Sequence, residues 1–190
     1  MLKGERIIIR AFERSDFPVL YQYHDVGVMN FYAITCAFPI SRDAYEQWLT
    51  DIAKRPGTKY WAIEEKDHGV VGTIGLFDMD PYVRTCNIGF YIAPPFQKKN
   101  IGGDAVLTVL DFVFGDMNYN KVNGETMELN VPAQKLLERL GFKKEGELRA
   151  CWRYQHETYS KLLYGMLRDE YYAAHPPRMS LPFEKQLHKR

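Results

Sequence analysis

The sequence predicts an α+β (mixed α/β) layer fold. Three observations carry it. Residues 60–63 and 70–76 are β-branched and aromatic runs on either side of Lys66-Asp67-His68-Gly69, a hairpin signal. Residues 103–114 read as a helix that is apolar almost all round, which suits only a buried position. The element order β-α-α-β-β-β-α-β-α-β-β mixes antiparallel hairpins with one strand–helix–strand passage.

The elements follow in order. Ile7-Ile8-Ile9 makes a first strand over residues 6–10. Ser15-Asp16 offers a cap, and Phe17, Leu20, Tyr21 and His24 follow at helical spacing. A second helix starts at Ser41, keeps Ala44, Tyr45, Trp48, Leu49 and Ile52 on one face, and stops near Arg55-Pro56-Gly57. The hairpin comes next, then an alternating strand over residues 85–92 that ends at Pro94-Pro95. Gly115 closes the apolar helix. A strand over residues 121–129 leads to Asn130-Val131-Pro132, with Pro132 suited to a helix's first turn. Leu136, Leu137 and Leu140 form that helix's inner face and Gly141 ends it. Two strands, near residues 142–152 and 158–167, complete the pattern.

Composition narrows the function. At 190 residues, 46% apolar and 26% charged, the chain suits one domain with a single core. A net charge of +1 argues against a dedicated nucleic-acid binder or a polybasic membrane protein. No apolar run approaches the roughly 18 residues of a spanning helix, and the charged start is unlike a signal peptide. The three cysteines, Cys36, Cys86 and Cys151, lack CxxC spacing and read as reduced core thiols of a cytoplasmic protein, with no metal site. The break in composition is late: residues 1–172 form the domain, and residues 173–190 form a basic, proline-containing tail of net +3. An extended appendage accounts for that tail. A nucleic-acid arm is the sharper alternative, but four spread charges make a weak footprint.

The segment that carries chemistry is Phe90-Tyr91-Ile92-Ala93-Pro94-Pro95-Phe96-Gln97-Lys98-Lys99-Asn100-Ile101-Gly102-Gly103. A strand ends, two prolines turn the chain, and a Lys/Gly-rich loop runs into the buried helix. Such a helix start presents unpaired N–H groups and a positive dipole end. Glycines let a phosphate approach, and Lys98 and Lys99 add charge. A site for a phosphorylated ligand follows; a Gly-rich turn with solvated lysines is the plain alternative. The loop is neither a Walker loop nor GxGxxG.

Gln97-Lys98-Lys99-Asn100-Ile101-Gly102 resembles the pyrophosphate-binding motif of the GNAT superfamily of N-acetyltransferases, Gln/Arg-x-x-Gly-x-Gly/Ala. Asn130, with Leu140-Gly141-Phe142 and Glu145-Gly146 after it, is similar to that superfamily's second signature. The opening Glu5-Arg6-Ile7-Ile8-Ile9-Arg10 and the closing Gly146-Glu147-Leu148-Arg149 resemble the Rim-type branch, which acetylates the N-termini of ribosomal proteins. The likeness covers residues 2–172. It implies a mostly antiparallel central sheet, splayed at the acetyl-CoA site, with helices on both faces. It implies acetyl-CoA as cosubstrate, without a metal, and an amine acceptor: a peptide N-terminus or a small molecule. Backbone groups of Phe90, Tyr91 and Ile92 would pair with pantetheine. Gln97, Lys98, Lys99, Asn100, Ile101, Gly102 and Gly103 would cradle the pyrophosphate, and Asn130 would bond the pantetheine arm or cap its helix. Asn100 stands where the family has glycine.

The catalytic positions depart from the family. Its general-acid Tyr corresponds to Leu137, its strand Glu to Asn87 and the Rim-type Ser to Ala133. Asp78, Glu128 and Tyr91 remain as candidates. The oxyanion needs a donor, for which a backbone N–H near Tyr91 or Ile92 is placed. Glu128 is expected to share a strand face with Thr126 and Asn130, and His156 reads as a solvated turn residue. Phe31 and Tyr32 offer aromatic surface for an acceptor pocket or pack the helical layer. An amino-sugar acceptor, a CoA-binding regulatory module with little turnover, and a nucleotide binder that borrows the loop stay open, as do monomer and homodimer. Replacing Gly102 with Val is expected to abolish CoA binding, read by titration calorimetry. Replacing Asn130 is expected to weaken binding by about one hydrogen bond.

Overall fold

The computed structural model describes residues 1–25 and 38–175. Eight strands form one sheet: β1 (Leu2–Lys3), β2 (Ile7–Arg10), β3 (Lys59–Glu65), β4 (Gly69–Asp80), β5 (Thr85–Ile92), β6 (Lys121–Met127), β7 (Lys143–Tyr154) and β8 (Glu157–Leu167). Their spatial order is β1-β2-β3-β4-β5-β6-β8-β7. Every neighbouring pair is antiparallel except β5 and β6. The helices are α1 (Asp16–Tyr21), α2 (Arg42–Lys54), α3 (Ile101–Phe114), α4 (Val131–Arg139) and α5 (Arg168–Ala174), and Pro94–Phe96 makes a single 3-10 turn. None of these helices is long and apolar enough to cross a membrane.

The parallel pair explains the position of α3. Parallel neighbours need a crossover, and a long one is usually helical. Here α3 runs from the end of β5 back to the start of β6. It buries Ala105, Val106, Val109, Leu110 and Val113 against Ile74, Ile88 and Val122 of the sheet. α4 adds Leu137 and Leu140 to this core, and α5 adds Tyr171. On the opposite face α1 and α2 bury Phe17, Leu20, Tyr45 and Leu49 over Ala62 and Val70. Helices therefore cover both faces, as the sequence implies.

Local signals act as expected at several ends. The Ser41 hydroxyl accepts from the Ala44 N–H at 3.2 Å and starts α2. Gly141 follows α4 with φ of 96°, a conformation that favours glycine. His156 sits exposed in the turn between β7 and β8.

Other expectations are corrected. α1 ends at Tyr21, and the Tyr23 and His24 N–H groups close turns onto the Leu20 and Tyr21 carbonyls. β6 stops at Met127, so Glu128 lies in a turn, its N–H bonded to the Ser160 carbonyl at 3.0 Å; it does not alternate with Thr126 along a strand. β1 and α5 were not read from the sequence, and α5 takes residues 173 and 174 out of the expected tail. Residues 176–190 lie outside the described residues, as do Cys36, Phe31 and Tyr32. Cys86 is buried, and burial pushes its thiol up to about 12; Cys151 is exposed on β7, not a core thiol.

The sheet ends at β7, a long edge whose residues are mostly exposed. Its pairing with β8 shifts register between Lys144 and Gly146 and again between Leu148 and Trp152, and Ala150 takes φ of 51°. Such bulges keep an edge from templating further strands.

One buried charge network ties α1 to the sheet. Arg10 on β2 donates from Nη1 and Nη2 to the Asp16 carboxylate at 2.7 and 2.9 Å, and from Nε to Glu64 on β3. The Asp16 residue is 3% exposed. Burial acts to raise the Asp16 pKa, but the Arg10 bonds and the Glu13 N–H hold it below the usual 3.8. A depressed carboxylate stabilises the fold above its unfolded pKa and loses that contribution as pH falls through the folded one. Asp16→Asn is expected to cost about 3 kcal/mol at pH 7 by urea unfolding. The difference from the parent protein should shrink as the pH is taken below 3.8.

Candidate active site

β5 and β6 begin as neighbours and then part. Their pairing runs from Thr85 opposite Lys121 to Ile88 opposite Gly124 and stops there. β5 continues to Ile92 beside β4, and β6 continues to Met127 beside β8. The sheet therefore opens a wedge between residues 89–92 and residues 125–127. Burial records it: the buried alternation of β5 at Cys86 and Ile88 gives way to half-buried residues at Gly89, Phe90 and Tyr91.

The register decides which backbone groups face the wedge. The Ala93 N–H donates to the Val71 carbonyl of β4 at 2.9 Å. In an antiparallel ladder the bonded residues alternate. Tyr91, opposite Thr73, thus directs its N–H and C=O to β4, while Phe90 and Ile92 direct theirs away from it, into the wedge. The Ile92 carbonyl accepts from Gln97 Nε2 at 2.9 Å, so Gln97 pins the loop to the strand end.

Beyond the 3-10 turn, Lys98 and Asn100 both take φ of 62°. Asn100 is the residue before α3, left-handed at φ 62° and ψ 10°, a conformation asparagine tolerates. The first helical bond is from the Asp104 N–H to the Asn100 carbonyl at 3.1 Å. The amides of Ile101, Gly102 and Gly103 precede it and have no acceptor within the helix. The Asn100 side chain makes no cap bond to them. Lys99 Nζ lies 5.5 Å from the centre of the Phe96 ring. Free amides and the helix dipole meet at the head of the wedge, with Lys98 and Lys99 on the loop that leads into it, an arrangement that fits a diphosphate.

Gly102 proves tight for a second reason. A Cβ there would lie 3.2 Å from Phe90, with Ile92 and Leu136 each at 3.6 Å. A larger side chain presses on the residues that line the wedge. Asn130 is buried at 5% exposure, and its carbonyl oxygen accepts from the Ala133 N–H at 3.2 Å, so it caps α4 at the far lip of the wedge.

On the face covered by α1 and α2, two glycines lie side by side, Gly75 opposite Gly89. A Cβ on Gly75 would come within 2.3 Å of Tyr60, and one on Gly89 within 3.1 Å of Phe77. Both rings therefore lie across the strands beside the point where the sheet opens. Tyr60 and Thr73 hydroxyls bond at 2.7 Å, and the Tyr91 hydroxyl donates to the Tyr23 carbonyl at 3.2 Å. Tyr91 is thus a tether to the end of α1. Asp78 breaks the β4–β5 register between Phe77 and Asp80, with φ of 48°. Its carboxylate accepts from Asn87 Nδ2 at 2.8 Å, one residue from the last β5–β6 pair. Leu137 is buried in the core, and the Ala133 N–H serves the Asn130 cap. Among the described residues no group of three His, Cys, Asp or Glu side chains is placed to hold a metal.

Sequence reasoning missed three features here. The Asp78–Asn87 contact depends on a bulge without a glycine or proline to mark it. The Gly75–Gly89 pair is visible only once the register is known. Arg139, in the last turn of α4, donates from Nη2 to Asn100 Oδ1 at 2.8 Å across 39 residues of sequence.

Gly102→Val is expected to lower the melting temperature as well as ligand binding, because Phe90 and Leu136 must move. Gly102→Ala should leave folding nearly unchanged, since a single methyl meets only one contact under 3.4 Å. Differential scanning of the two variants, with and without CoA, checks this.

Comparison with known proteins agrees with this geometry. Residues 6–143 match the family described as acetyltransferase (GNAT) domain. The SPbeta prophage-derived uncharacterized N-acetyltransferase YokL of Bacillus subtilis is 30% identical over 174 residues, covering 90% of this chain and 96% of that protein. The putative ribosomal N-acetyltransferase YdaF of the same organism is 25% identical, covering 88% and 94%. The crystal structure of spermidine N-acetyltransferase from Vibrio cholerae, in complex with CoA and spermine, superposes with a TM-score of 0.78 at 20% identity, over 88% of this chain and 99% of that one. With its splayed sheet and amide-headed helix, the chain belongs to the GNAT acetyltransferase family and is an acetyl-CoA-dependent N-acetyltransferase.

Proposed function

We propose that the protein transfers acetyl from acetyl-CoA to a primary amine, with the α-amine of a peptide N-terminus as the favoured acceptor class. The wedge carries this reading. Its inward N–H groups at Phe90 and Ile92 and the Phe90 carbonyl suit a pantetheine arm lying as an added strand, and the amides of residues 101–103 suit the diphosphate. The coenzyme supplies an acetyl group activated as a thioester.

The chain's own groups then act on the amine. The amine nitrogen bonds to the acetyl carbon while the carbon–sulfur bond breaks. The oxygen that gains charge is served by the Phe90 or Ile92 N–H, whereas the Tyr91 N–H is spent on β4. The proton leaves the nitrogen for Asp78, which Asn87 orients; the departing thiolate takes a proton from water, and Asp78 returns its own to the hydroxide so formed. Products are the N-acetyl amine and CoA. Asp78 is favoured over Glu128 and Tyr91 because its carboxylate is exposed and held by Asn87, one residue before the last β5–β6 pair.

Electrostatics favours an α-amine. At pH 7 an α-amine of pKa near 7.7 is about 15% neutral, while a lysine-like amine near 10.4 is below about 0.1%. One exposed carboxylate suits the first task better than the second. The similarity to a putative ribosomal N-acetyltransferase supports the same class.

Purified protein mixed with acetyl-CoA, a thiol reagent and a panel of α-amino peptides, amino sugars and polyamines tests the reading. Thiol release with the peptides is expected, and release with none of the three classes would overturn it in favour of a CoA-binding module. Asp78→Asn is expected to lower kcat by about a hundredfold with CoA affinity unchanged. For a peptide acceptor, kcat/KM of the parent protein should rise with pH and level off near 7.7.

A further inference from the structure

We propose that Arg139 is a positioning residue for the diphosphate loop: it draws the Asn100 side chain off the first amides of α3 and so leaves them to the ligand. The inference rests on the coenzyme reading above.

The chain offers a second asparagine for comparison. Two of its helices, α3 and α4, are entered through asparagine. Asparagine before a helix ordinarily turns its carbonyl oxygen onto an N–H of the first turn. Asn130 does so, accepting from the Ala133 N–H at 3.2 Å. Asn100 does not; its oxygen accepts instead from Arg139 Nη2 at 2.8 Å. The two differ in backbone, Asn100 standing at φ 62° and Asn130 at φ −83°, and in partner: the Asn100 oxygen is held by the guanidinium, away from the amides of its own helix.

Two neighbours make room for that contact. A Cβ on Gly103 would fall 2.8 Å from Asn100 Oδ1 and 3.2 Å from Arg139 Nη2, so the third helical position admits only glycine while the pair is formed. Asp104, the acid of the first turn, is engaged elsewhere: its two oxygens accept from the Glu5 and Arg6 N–H groups at 3.0 and 2.8 Å. Both side chains able to compete for the amides of residues 101–103 are therefore held off them. An arginine suits this task, because its rigid fork fixes the direction of the N–H that holds Asn100.

The experiment uses the full chain and CoA itself, with affinities from titration calorimetry and rates with acetyl-CoA and the best peptide of the panel. The variants are Arg139→Ala, Arg139→Lys, Asn100→Gly and the Asn100→Gly/Arg139→Ala double substitution. Arg139→Ala is expected to raise the CoA Kd and the acetyl-CoA KM about tenfold, with kcat changed less than about twofold. Arg139→Lys should restore part of the affinity. In the Asn100→Gly background there is no side chain to restrain, so Arg139→Ala should then cost less than about threefold. An unchanged Kd in Arg139→Ala overturns the proposal. So does a tenfold loss that persists in the Asn100→Gly background, which would assign Arg139 to the ligand or to general stability. If the parent protein itself does not bind CoA, the coenzyme reading fails first and takes this inference with it.

Discussion

The rest of the site depends on one interrupted ladder. β5 and β6 share four residue pairs and then no longer meet. Backbone N–H and C=O groups away from water must find partners, so a strand that leaves its neighbour inside a sheet exposes groups that ask for a substitute. The tail of β5 is kept straight by β4 on its other side, and the Gln97 amide takes one of its carbonyls. The other inward groups define the wedge. α3 and α4 stand at its two lips because each begins where its strand has just lost a partner: α3 after β5, α4 after β6. Neither helix would present its first turn to the same space if the two strands stayed paired.

This geometry also explains the glycines. Gly75 and Gly89 lie opposite each other where the opening begins, and the space above them is taken by Tyr60 and Phe77. Side chains on those strands would lift the rings off the sheet. Gly102 and Gly103 act on the other lip, one letting α3 sit against Phe90, the other leaving room for the Asn100–Arg139 contact. These four glycines answer to close approach by a neighbour, and none of them adopts a positive φ.

Much of this could be read from the chain, and what could not has a physical reason. The apolar run of α3 and the Gln97–Gly103 loop are local signals, because burial and turn chemistry are written in adjacent residues. α1 fell short of His24 because periodicity predicts a face and says little about where the helix frays. β6 ended early because the chain turns at residues 128 and 129, where the Asn130 N–H bonds back to the Met127 carbonyl at 2.9 Å, a turn that alternation does not mark. Cys151 was misplaced because cysteine is usually buried, while β7 is an open edge. The site divides in the same way. The amide cradle was legible, since a loop and a helix start carry it. The Asp78 bulge, the direction of the Phe90 and Ile92 backbone groups and the Arg139 contact were not, since each needs a register or a tertiary fold before it exists. Phe31 and Tyr32 lie outside the described residues.

The clasp between Asp104 and the turn after β1 joins segments 99 and 98 positions apart. Contacts of that span require the chain to close a long loop before they are rewarded. Without residues 5 and 6 the Asp104 carboxylate would lose both donors and stand beside the amides of residues 101–103. The anion loop is thus insulated from its own acid by a segment remote from it in the chain, and a change at residues 5 and 6 would be felt there.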